Sequence, residues 1–195
     1  MPELPEVETT RRGLAPVMEG KAIAQVILNR PDLRFPIQAD FRARLAGRTV
    51  ERIDRRAKYL LLRLSGGDVL IAHLGMSGSF RVDSAGAASA TATLYRHIPR
   101  LVAHDHVIFE MSDGARVTYN DPRRFGFMFV TAGEGLERHP RMRGIGLEPL
   151  DPPLAPEMLD RLFARAGASL KAALLDQKRI AGLGNIYVCE ALHRA

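Results

Sequence analysis

The first residues of the chain, MPELPEVET, combine groups that could do chemistry with groups that could simply begin a helix. Two prolines and three glutamates fall within the first eight residues, although the protein carries a formal net charge of +6. Pro5 suits the start of a helix, and Glu6 and Glu8 would lie near the positive end of its dipole. This acidic tip therefore either starts a helix or forms part of a reactive site, and its residues alone leave both interpretations open.

Two glycine-containing turns carry side chains that are unusual between strands. In HLGMSGSF (73–80), the flanking glycines make Met76 a poor core residue, and apolar loop tips of this kind wedge between unstacked bases in DNA-binding proteins. In NDPRRFGF (120–127), Arg123 can contact a phosphate or a base edge, and Phe125 can stack. The simpler alternatives are a methionine folded back onto the sheet and a solvated β-turn.

Two further segments could bind phosphate. AGLGNIY (181–187) lacks the preceding strand and the third glycine of a dinucleotide-binding loop. We interpret it as a glycine turn between two helices, in which backbone N–H groups and Asn185 would hold a phosphate. Lys58 follows two arginines at the start of KYLLLRL. It is either part of a nucleic-acid-binding cluster or the basic edge of a strand.

The composition is that of a basic globular protein. Its 195 residues are 46% hydrophobic and 26% charged, and 24 of the 28 basic residues are arginines. Clusters such as Arg55 and Arg56 indicate a nucleic-acid partner, although a bias toward arginine codons is an alternative. The sequence has no apolar run of about 18 residues, and because its first residues lack a basic n-region followed by an apolar h-region, we expect no signal peptide. A single cysteine excludes an internal disulfide and a CxxC metal site, so we expect a reducing cytosolic location and no membrane association.

The periodicity of the first half predicts an N-terminal helix followed by strands. The helix covers Pro5–Met18, and SGGD (65–68) and SDGA (112–115) are hairpin signals. The strand segments are KAIAQVILN, TVERID, KYLLLRL, DVLIAHL, DHVIFEM and ARVTYN. Together they predict an antiparallel β-sandwich with an N-terminal helix, and the small polar residues of Val82–Ala92 predict a loop.

The second half is predicted to be helical, which makes the chain α+β. The proline-rich segment EPLDPPLAPE predicts a linker at 148–156, between a domain at 1–147 and a helical region at 157–195. Apolar residues recur at three- and four-residue spacing in PEMLDRLFARA, SLKAALLDQKRI and NIYVCEALHRA. The last segment has no capping signal, so we expect that the chain is cut short within a helix.

Five motifs, in this order, resemble the bacterial formamidopyrimidine-DNA glycosylases, also called 8-oxoguanine DNA glycosylases. They are MPELPEVET, RRAKYLLL, HLGMSGS, DPRRFG and GLGNIYVCEAL, and they extend over the whole chain. The first and fourth are typical of the branch that acts on oxidised purines, rather than of the endonuclease VIII branch. The resemblance implies a β-sandwich domain followed by the start of a helix-two-turn-helix DNA-binding domain. It also implies a monomeric bacterial repair enzyme, cytoplasmic and nucleoid-associated, that binds double-stranded DNA containing oxidised purines or abasic sites.

The resemblance places the chemistry of a bifunctional glycosylase and AP lyase at the N-terminus. Family members lose Met1, and the secondary amine of Pro2 then attacks the anomeric carbon, expels the damaged base and forms a Schiff base. Elimination from this intermediate cuts the strand. An α-amino group has an ordinary pKa of about 8, so it is partly neutral near pH 7. By resemblance Glu3 is the acid–base partner, Lys58 is a further catalytic residue and Glu6 supports them from the same helix.

The resemblance also implies three groups of DNA-contacting residues. The positions that grip phosphates around the flipped nucleotide are Lys58, His73, Asn185 and Tyr187. The positions that fill the space left by the flipped base are Met76, Arg123 and Phe125, with Arg123 facing the orphaned cytosine. The positions associated with lesion recognition are Lys171 and Glu190.

The sequence departs from the family in its C-terminal part. Family members continue for several dozen residues and end in a four-cysteine zinc finger, which is absent here. We therefore expect no metal or other cofactor in this chain, whereas zinc is expected in full-length members. One alternative to the enzyme is a non-catalytic DNA-binding fragment that keeps some phosphate contacts. Another is an inert fragment with an exposed apolar helical face that self-associates.

Overall fold

The computed structural model describes residues 2–83, 92–94, 101–150, 153–164 and 167–195, with the backbone alone at 92–94. The helices are α1 (Leu4–Met18), α2 (Phe41–Leu45), α3 (Pro156–Phe163), α4 (Leu170–Leu175) and α5 (Asn185–Arg194). The strands are β1 (Ile23–Leu28), β2 (Val50–Arg56), β3 (Tyr59–Leu64), β4 (Asp68–His73), β5 (Ser79–Asp83), β6 (Ala92–Leu94), β7 (Asp105–Met111), β8 (Arg116–Asn120) and β9 (Phe127–Ala132).

The strands form two antiparallel sheets around one main hydrophobic core. One sheet has the order β1-β7-β8-β5-β6, and the other has the order β2-β3-β4-β9. Buried side chains of both sheets belong to the same cluster, among them Leu60 and Leu70 on the four-stranded sheet and Phe109 on the other. Burial of this apolar surface is the main favourable contribution to folding. The predicted α+β class with an N-terminal antiparallel sandwich is confirmed.

The four-stranded sheet is buried on its outer face as well. Leu61 and Ile71 point away from the main core and pack with Leu136 and Met142, which follow β9 in the chain. Successive side chains of a strand face opposite sides, so a strand that is covered on both sides is apolar at almost every position. This explains why β3 and β4 read as the continuous runs KYLLLRL and DVLIAHL.

Helix α1 packs along β2 with one apolar face. Its buried residues recur at three- and four-residue spacing, and they are Leu4, Val7, Thr10, Leu14 and Met18. Pro5 lies in the first turn, where its missing amide hydrogen costs no intrahelical bond. The helical interpretation of the acidic tip is therefore correct for Pro5.

Glu8 has a different role from the predicted one. It lies beyond the first turn of α1, and its carboxylate accepts hydrogen bonds from Arg11 (2.8 Å), Arg12 (2.9 Å) and Arg55 of β2 (3.3 Å). The Arg11 hydrogen bonds, opposed by burial and assisted by Arg12 and Arg55, lower the pKa of Glu8 to about 2. Glu8 therefore ties α1 to the edge strand β2.

The turn between β2 and β3 is held by Glu148, which lies far along the chain. Its carboxylate accepts hydrogen bonds from Arg55 and Arg56, both at 2.8 Å, and from the amide of Ala57. Arg56 also donates to two carbonyls at 145–146. The sequence grouped these arginines in a nucleic-acid-binding cluster. The structure instead pairs them internally, and only 10% of the Arg55 side chain is exposed.

Three elements differ from the sequence-based expectation. The predicted helix SLKAALLDQKRI ends at Leu175, because Asp176 is extended and its carboxylate accepts a hydrogen bond from the Lys178 amide. The predicted loop Val82–Ala92 overlaps β5 and β6 at its two ends, and 84–91 lie outside the described residues. The short helix α2 was not predicted. It is anchored by Arg44, which pairs with Asp68 of β4 at 2.7 Å.

Residues 151 and 152 of the predicted linker at 148–156 also lie outside the described part of the chain. Within the described residues, no helix has the length and apolar character needed to cross a bilayer.

The low pKa of Glu8 makes a pH-dependent contribution to stability. A carboxyl group whose folded-state pKa lies below its unfolded value of about 4.3 stabilises the fold at neutral pH, and this stabilisation is lost as the pH falls toward 2. We expect Glu8→Gln to lower the free energy of unfolding by about 1–2 kcal/mol at pH 7. The difference from the parent should shrink as the pH falls below about 4, which urea denaturation at several pH values measures.

Glu51→Gln is the matched control, since Glu51 is an exposed glutamate of β2. It should follow the parent curve at every pH. A Glu8→Gln offset that does not change with pH would contradict the assignment.

Candidate functional site

The carboxylate of Glu3 binds the first turn of α5, near the other end of the described chain. Its oxygens accept hydrogen bonds from the amides of Gly184 (2.8 Å), Ile186 (2.8 Å) and Tyr187 (3.3 Å). A helix leaves these first amides without intrahelical partners, and the positive end of its dipole lies at the same point. Glu3 is 1% exposed. Three directed donors thus compensate the burial of this carboxylate.

Two glycines allow α1 and the turn before α5 to approach so closely. A β-carbon on Gly184 would lie 2.4 Å from Cδ of Glu3, and one on Gly182 would lie 2.5 Å from Cδ1 of Leu4. Gly182 also has a φ of +85°, which side chains rarely adopt. The amide of Leu4 donates to the Gly182 carbonyl at 3.1 Å. The glycines of GLG therefore serve the contact with the N-terminal residues.

Lys58 and Gln177 both donate to the carbonyl of Leu183. The distances are 2.9 Å from Lys58 Nζ and 2.7 Å from Gln177 Nε2. Gln177 Oε1 in turn accepts a hydrogen bond from the Gly182 amide at 2.9 Å, so one side chain closes the turn between α4 and α5. Burial lowers the pKa of Lys58, although the charges of Glu3 and Glu6 oppose this shift.

Pro2, Glu6 and Tyr187 complete this group of residues. Pro2 is buried, directly before Glu3. Glu6 accepts hydrogen bonds from the Glu3 amide at 2.8 Å and from the Tyr187 hydroxyl at 3.1 Å. Asn185 lies exposed in the first turn of α5, beside the group. We call the group the amino-terminal site; its members are Pro2, Glu3, Glu6, Lys58 and Tyr187.

One end of the four-stranded sheet, where its strands meet the loops, positions the remaining predicted residues. Tyr59, His73 and Phe127 are paired with one another across β3, β4 and β9, so they form one row at this end of the sheet. Lys58 immediately precedes the row on β3. The loop after β4 carries Met76, and the loop before β9 carries Arg123 and Phe125. The strand register therefore places three separate sequence motifs side by side.

His73 lies between two aromatic rings at this end of the sheet. Its ring centre is 5.1 Å from that of Phe127, with an angle of 9° between the ring planes, and 5.0 Å from that of Tyr59. Nδ1 accepts a hydrogen bond from the Gly75 amide at 3.0 Å, which leaves Nε2 to carry the proton of the neutral ring. Burial, reinforced by nearby Lys58, lowers the pKa of His73 to about 4. At neutral pH this residue is thus an uncharged hydrogen-bond donor.

Met76, Arg123 and Phe125 line one open cleft of about 570 Å³, together with His73. Met76 is half-buried, whereas Arg123 and Phe125 are exposed. The Arg123 guanidinium lies 4.8 Å from the centre of the Phe125 ring. We call this space the Met76 cleft. Its walls present a thioether, a cation and an exposed aromatic ring.

Lys171 and Glu190 join neither group. Lys171 is exposed on α4, and Glu190 is exposed on α5, where it forms an ion pair with Arg194 at 3.7 Å. The contacts among the described residues connect neither side chain to the amino-terminal site or to the Met76 cleft. Their role in lesion recognition stays a prediction.

Sequence reasoning missed three polar side chains that support these groups. Gln177 closes the α4–α5 turn, Glu148 holds the β2–β3 turn, and Asp121 is fully buried beneath the Met76 cleft. Glu148 and Asp121 form hydrogen bonds with residues that are distant in the sequence, at the β2–β3 turn and at Ser77, whereas Gln177 bonds to Gly182 and Leu183 in the turn that follows it.

A larger cleft of about 900 Å³ lies between α1, β2, β3 and the segment 133–150. Its lining contains none of the predicted site residues among those the structure describes. Many of its arginines are paired with Glu8, Asp54 and Glu148. The larger cleft therefore does not coincide with the predicted site residues.

The low pKa of His73 predicts a neutral ring over most of the accessible pH range. We expect long-range ¹H–¹⁵N NMR spectra to show the neutral ring with the proton on Nε2 down to about pH 5, whereas histidine in the urea-unfolded chain titrates near 6.5. Between these pKa values the unfolded state binds more protons, so this contribution to stability falls as the pH decreases from about 6.5 to 4. An imidazolium signal for His73 at pH 6.5 would refute the assignment.

The close approach at Gly184 predicts a large cost for a single methyl group. Gly184→Ala would force Glu3 and the start of α5 apart and should lower the free energy of unfolding by about 2 kcal/mol or more. Gly167→Ala is the control, since nothing lies within 4 Å of the added β-carbon there. That variant should stay within about 0.5 kcal/mol of the parent. Amide exchange of Ile186 and Tyr187 should accelerate only in Gly184→Ala, and equal behaviour of the two variants would contradict the described contact.

Comparisons with known protein families account for most of the chain. The sequence model described as the formamidopyrimidine-DNA glycosylase N-terminal domain matches residues 1–128, and the formamidopyrimidine-DNA glycosylase H2TH domain matches residues 145–195. The formamidopyrimidine-DNA glycosylase of Methylocella silvestris is 60% identical over 195 residues, which are 100% of this chain and 66% of the relative. That of Afipia carboxidovorans is 58% identical and covered to 67% of its length.

Solved structures give the same result. Lactococcus lactis Fpg in complex with abasic-site DNA has a TM-score of 0.80 and 30% identity, covering 97% of this chain and 65% of the other. The same enzyme with DNA containing N7-benzyl-Fapy-dG has a TM-score of 0.81, 30% identity and coverages of 98% and 66%. The chain spans about two thirds of the length of these relatives. This protein therefore belongs to the formamidopyrimidine-DNA glycosylase family.

Proposed function

We propose that this chain carries the catalytic end of a base-excision repair glycosylase that removes oxidised purines, 8-oxoguanine and formamidopyrimidines, from DNA. The same active site then acts as an AP lyase. The observation that supports this most directly is the amino-terminal site, in which residue 2 is held beside a buried carboxylate at the start of α5. Family membership supports the reaction class.

The proposed chemistry uses the N-terminal amine after Met1 has been removed. The nitrogen of Pro2 attacks C1′ of the damaged nucleoside, the bond from C1′ to the base breaks, and the base leaves with the electron pair and a proton. Opening of the sugar ring then gives an iminium between Pro2 and C1′. This iminium accepts the electrons of the adjacent C–H bond when the phosphate on the 3′ side is eliminated. A second elimination removes the 5′ phosphate.

Glu3 is the proposed acid–base group for the ring oxygen and for these protons. Three backbone donors fix its carboxylate within the amino-terminal site, so it needs no reorganisation when charge develops on the sugar. Lys58 Nζ donates a hydrogen bond to the carbonyl of Leu183, and the amide of the next residue, Gly184, donates to this carboxylate. We assign Lys58, His73, Asn185 and Tyr187 to the flanking phosphates. His73 would contribute an N–H rather than a charge.

The proposed partner is double-stranded DNA bound by one copy of the chain. The structural relatives named above are complexes with abasic-site or Fapy-containing DNA. A target base must leave the duplex before its sugar can reach Pro2, and extrusion costs a few kcal/mol. We assign Met76, Arg123 and Phe125 of the Met76 cleft to the vacated space, where a wedge and a cation offset that cost. A DNA substrate and bacterial relatives fit an enzyme of the bacterial nucleoid.

The zinc of full-length family members does not fit the residues of this chain. A zinc finger of that type needs four cysteine thiolates, and the sequence has one cysteine, Cys189. Among the described residues, no group of three or more His, Cys, Asp or Glu side chains is arranged to hold a metal ion. The proposed steps therefore use only protein groups.

Borohydride trapping tests the proposal directly. The chain is incubated with a duplex that contains one 8-oxoguanine opposite cytosine, and with a second duplex that contains an abasic site. Borohydride reduces the iminium, so a covalent protein–DNA band is expected with both duplexes. A few residues added before Pro2 convert its amine into an amide and should abolish both bands.

The same residues appended after Ala195 are the matched control and should leave both bands intact. Mass spectrometry of the parent establishes whether Met1 has been removed. DNA binding without any band supports the alternative of a non-catalytic DNA-binding fragment. A chain that neither binds DNA nor forms a band refutes both functions.

A further inference from the structure

Two loops that enter the Met76 cleft are joined by a buried carboxylate. Asp121 is 0% exposed and accepts hydrogen bonds from the Ser77 hydroxyl, from the Gly126 amide at 2.8 Å and from the Tyr119 hydroxyl at 3.1 Å. Ser77 Oγ itself accepts a hydrogen bond from the Arg123 amide at 3.1 Å. These bonds connect the loop that carries Met76 to the loop that carries Arg123. We call Asp121 and Ser77 the loop clasp.

Steric contact defines the same relative position of the two loops. A β-carbon on Gly75 would lie 2.3 Å from the Gly126 amide nitrogen, and one on Gly126 would lie 1.9 Å from the Tyr119 hydroxyl. The two loop backbones therefore touch directly, beneath the exposed side chains. Neither loop can shift without breaking a bond of the clasp or opening this contact.

The clasp also sets the local shape of the loop before β9. The Arg124 amide donates to the Asp121 carbonyl at 3.2 Å, and Arg124 adopts a φ of +54°. The chain reverses over a few residues, and the Arg123 guanidinium lies over the Phe125 ring. A hydrogen bond at the Arg123 amide thus acts on the residue whose side chain projects into the cleft.

We propose that Asp121 and Ser77 are positioning residues that set the selectivity of this site for the base opposite the lesion. The inference rests on the proposed function, in which Arg123 faces the orphaned cytosine. Readout of a base edge by a guanidinium needs a defined donor geometry, because a wrong base is rejected only if the donors cannot move to accommodate it. The clasp supplies that constraint through the backbone amide of Arg123, and both of its side chains are buried.

Two variants that each remove one hydroxyl donor from Asp121 make the test specific. Ser77→Ala removes the donor that links the two loops, whereas Tyr119→Phe removes a donor that comes from the core strand β8 and leaves the link intact. Each variant is compared with the parent for binding to duplexes with a tetrahydrofuran abasic analogue opposite cytosine or opposite adenine. These duplexes cannot be cleaved through an aldehydic intermediate, so the readout does not depend on turnover.

We expect the parent to prefer cytosine and Ser77→Ala to lose about five- to tenfold of this preference, mainly through tighter relative binding to the adenine duplex. Tyr119→Phe should keep the parent ratio within about twofold. In the free proteins, hydrogen exchange of the Arg123 and Gly126 amides should accelerate at least about tenfold in Ser77→Ala only.

Equal ratios in the two variants overturn the inference, and so does an unchanged exchange rate at Arg123. A parent that binds both duplexes equally also overturns it, because there is then no selectivity to position. Borohydride trapping on abasic DNA separates this failure from that of the proposed function. The catalytic proposal fails if the parent gives no band, whereas the clasp fails if the bands are normal and the cytosine preference of Ser77→Ala is unchanged.

Discussion

The hydrogen bonds from the first turn of α5 to the Glu3 carboxylate are the interaction on which the rest of the site depends. They join the first helix of the sandwich to a helix of the C-terminal region. The neighbouring bonds from Leu4 to Gly182 and from Lys58 to Leu183 follow from the same contact. Pro2, directly before Glu3, is thereby placed relative to both parts of the protein at once. An N-terminal residue is ordinarily among the least ordered in a chain, and the proposed nucleophilic role of Pro2 requires this anchoring.

Oriented dipoles contribute to the electrostatic character of the site. Three amides face Glu3, burial lowers the pKa of Lys58, and the low pKa of His73 leaves its ring neutral at pH 7. The arginines that dominate the composition are in part engaged elsewhere, as in the pairs of Arg55 with Glu8 and Glu148. Fixed dipoles need not reorganise as charge develops, which favours a transition state over a ground state. The formal charge of +6 is therefore a poor guide to where the chemistry lies.

The sequence predicted the secondary-structure elements and the family well where the signal is local. Apolar runs identified β3 and β4, the Ser-Asp-Gly turn identified the hairpin of β7 and β8, and the ordered motifs identified the family. The sequence did not show which partners the polar side chains bind in the folded chain. Arg55 and Arg56 read as a nucleic-acid-binding cluster because nothing local shows that Glu148 lies beside them. The predicted end of α4 was wrong because the Asp176 side chain competes with the helix for the backbone amide of Lys178.

The residues that we propose to contact the DNA and the residues that support them also differ in how the sequence shows them. Met76, Arg123 and Phe125 are conspicuous because they are poorly suited to turns, whereas Ser77 and Asp121 are ordinary turn residues and attract no attention. Their function becomes visible only from burial, since a carboxylate with no exposure and three donors has a structural task. The pairing of Tyr59, His73 and Phe127 across three neighbouring strands fixes the relative positions of the motifs that carry them. The loops beyond these strand ends are outside the hydrogen-bonded pairing of the sheet, so a small number of buried hydrogen bonds must define where their side chains project.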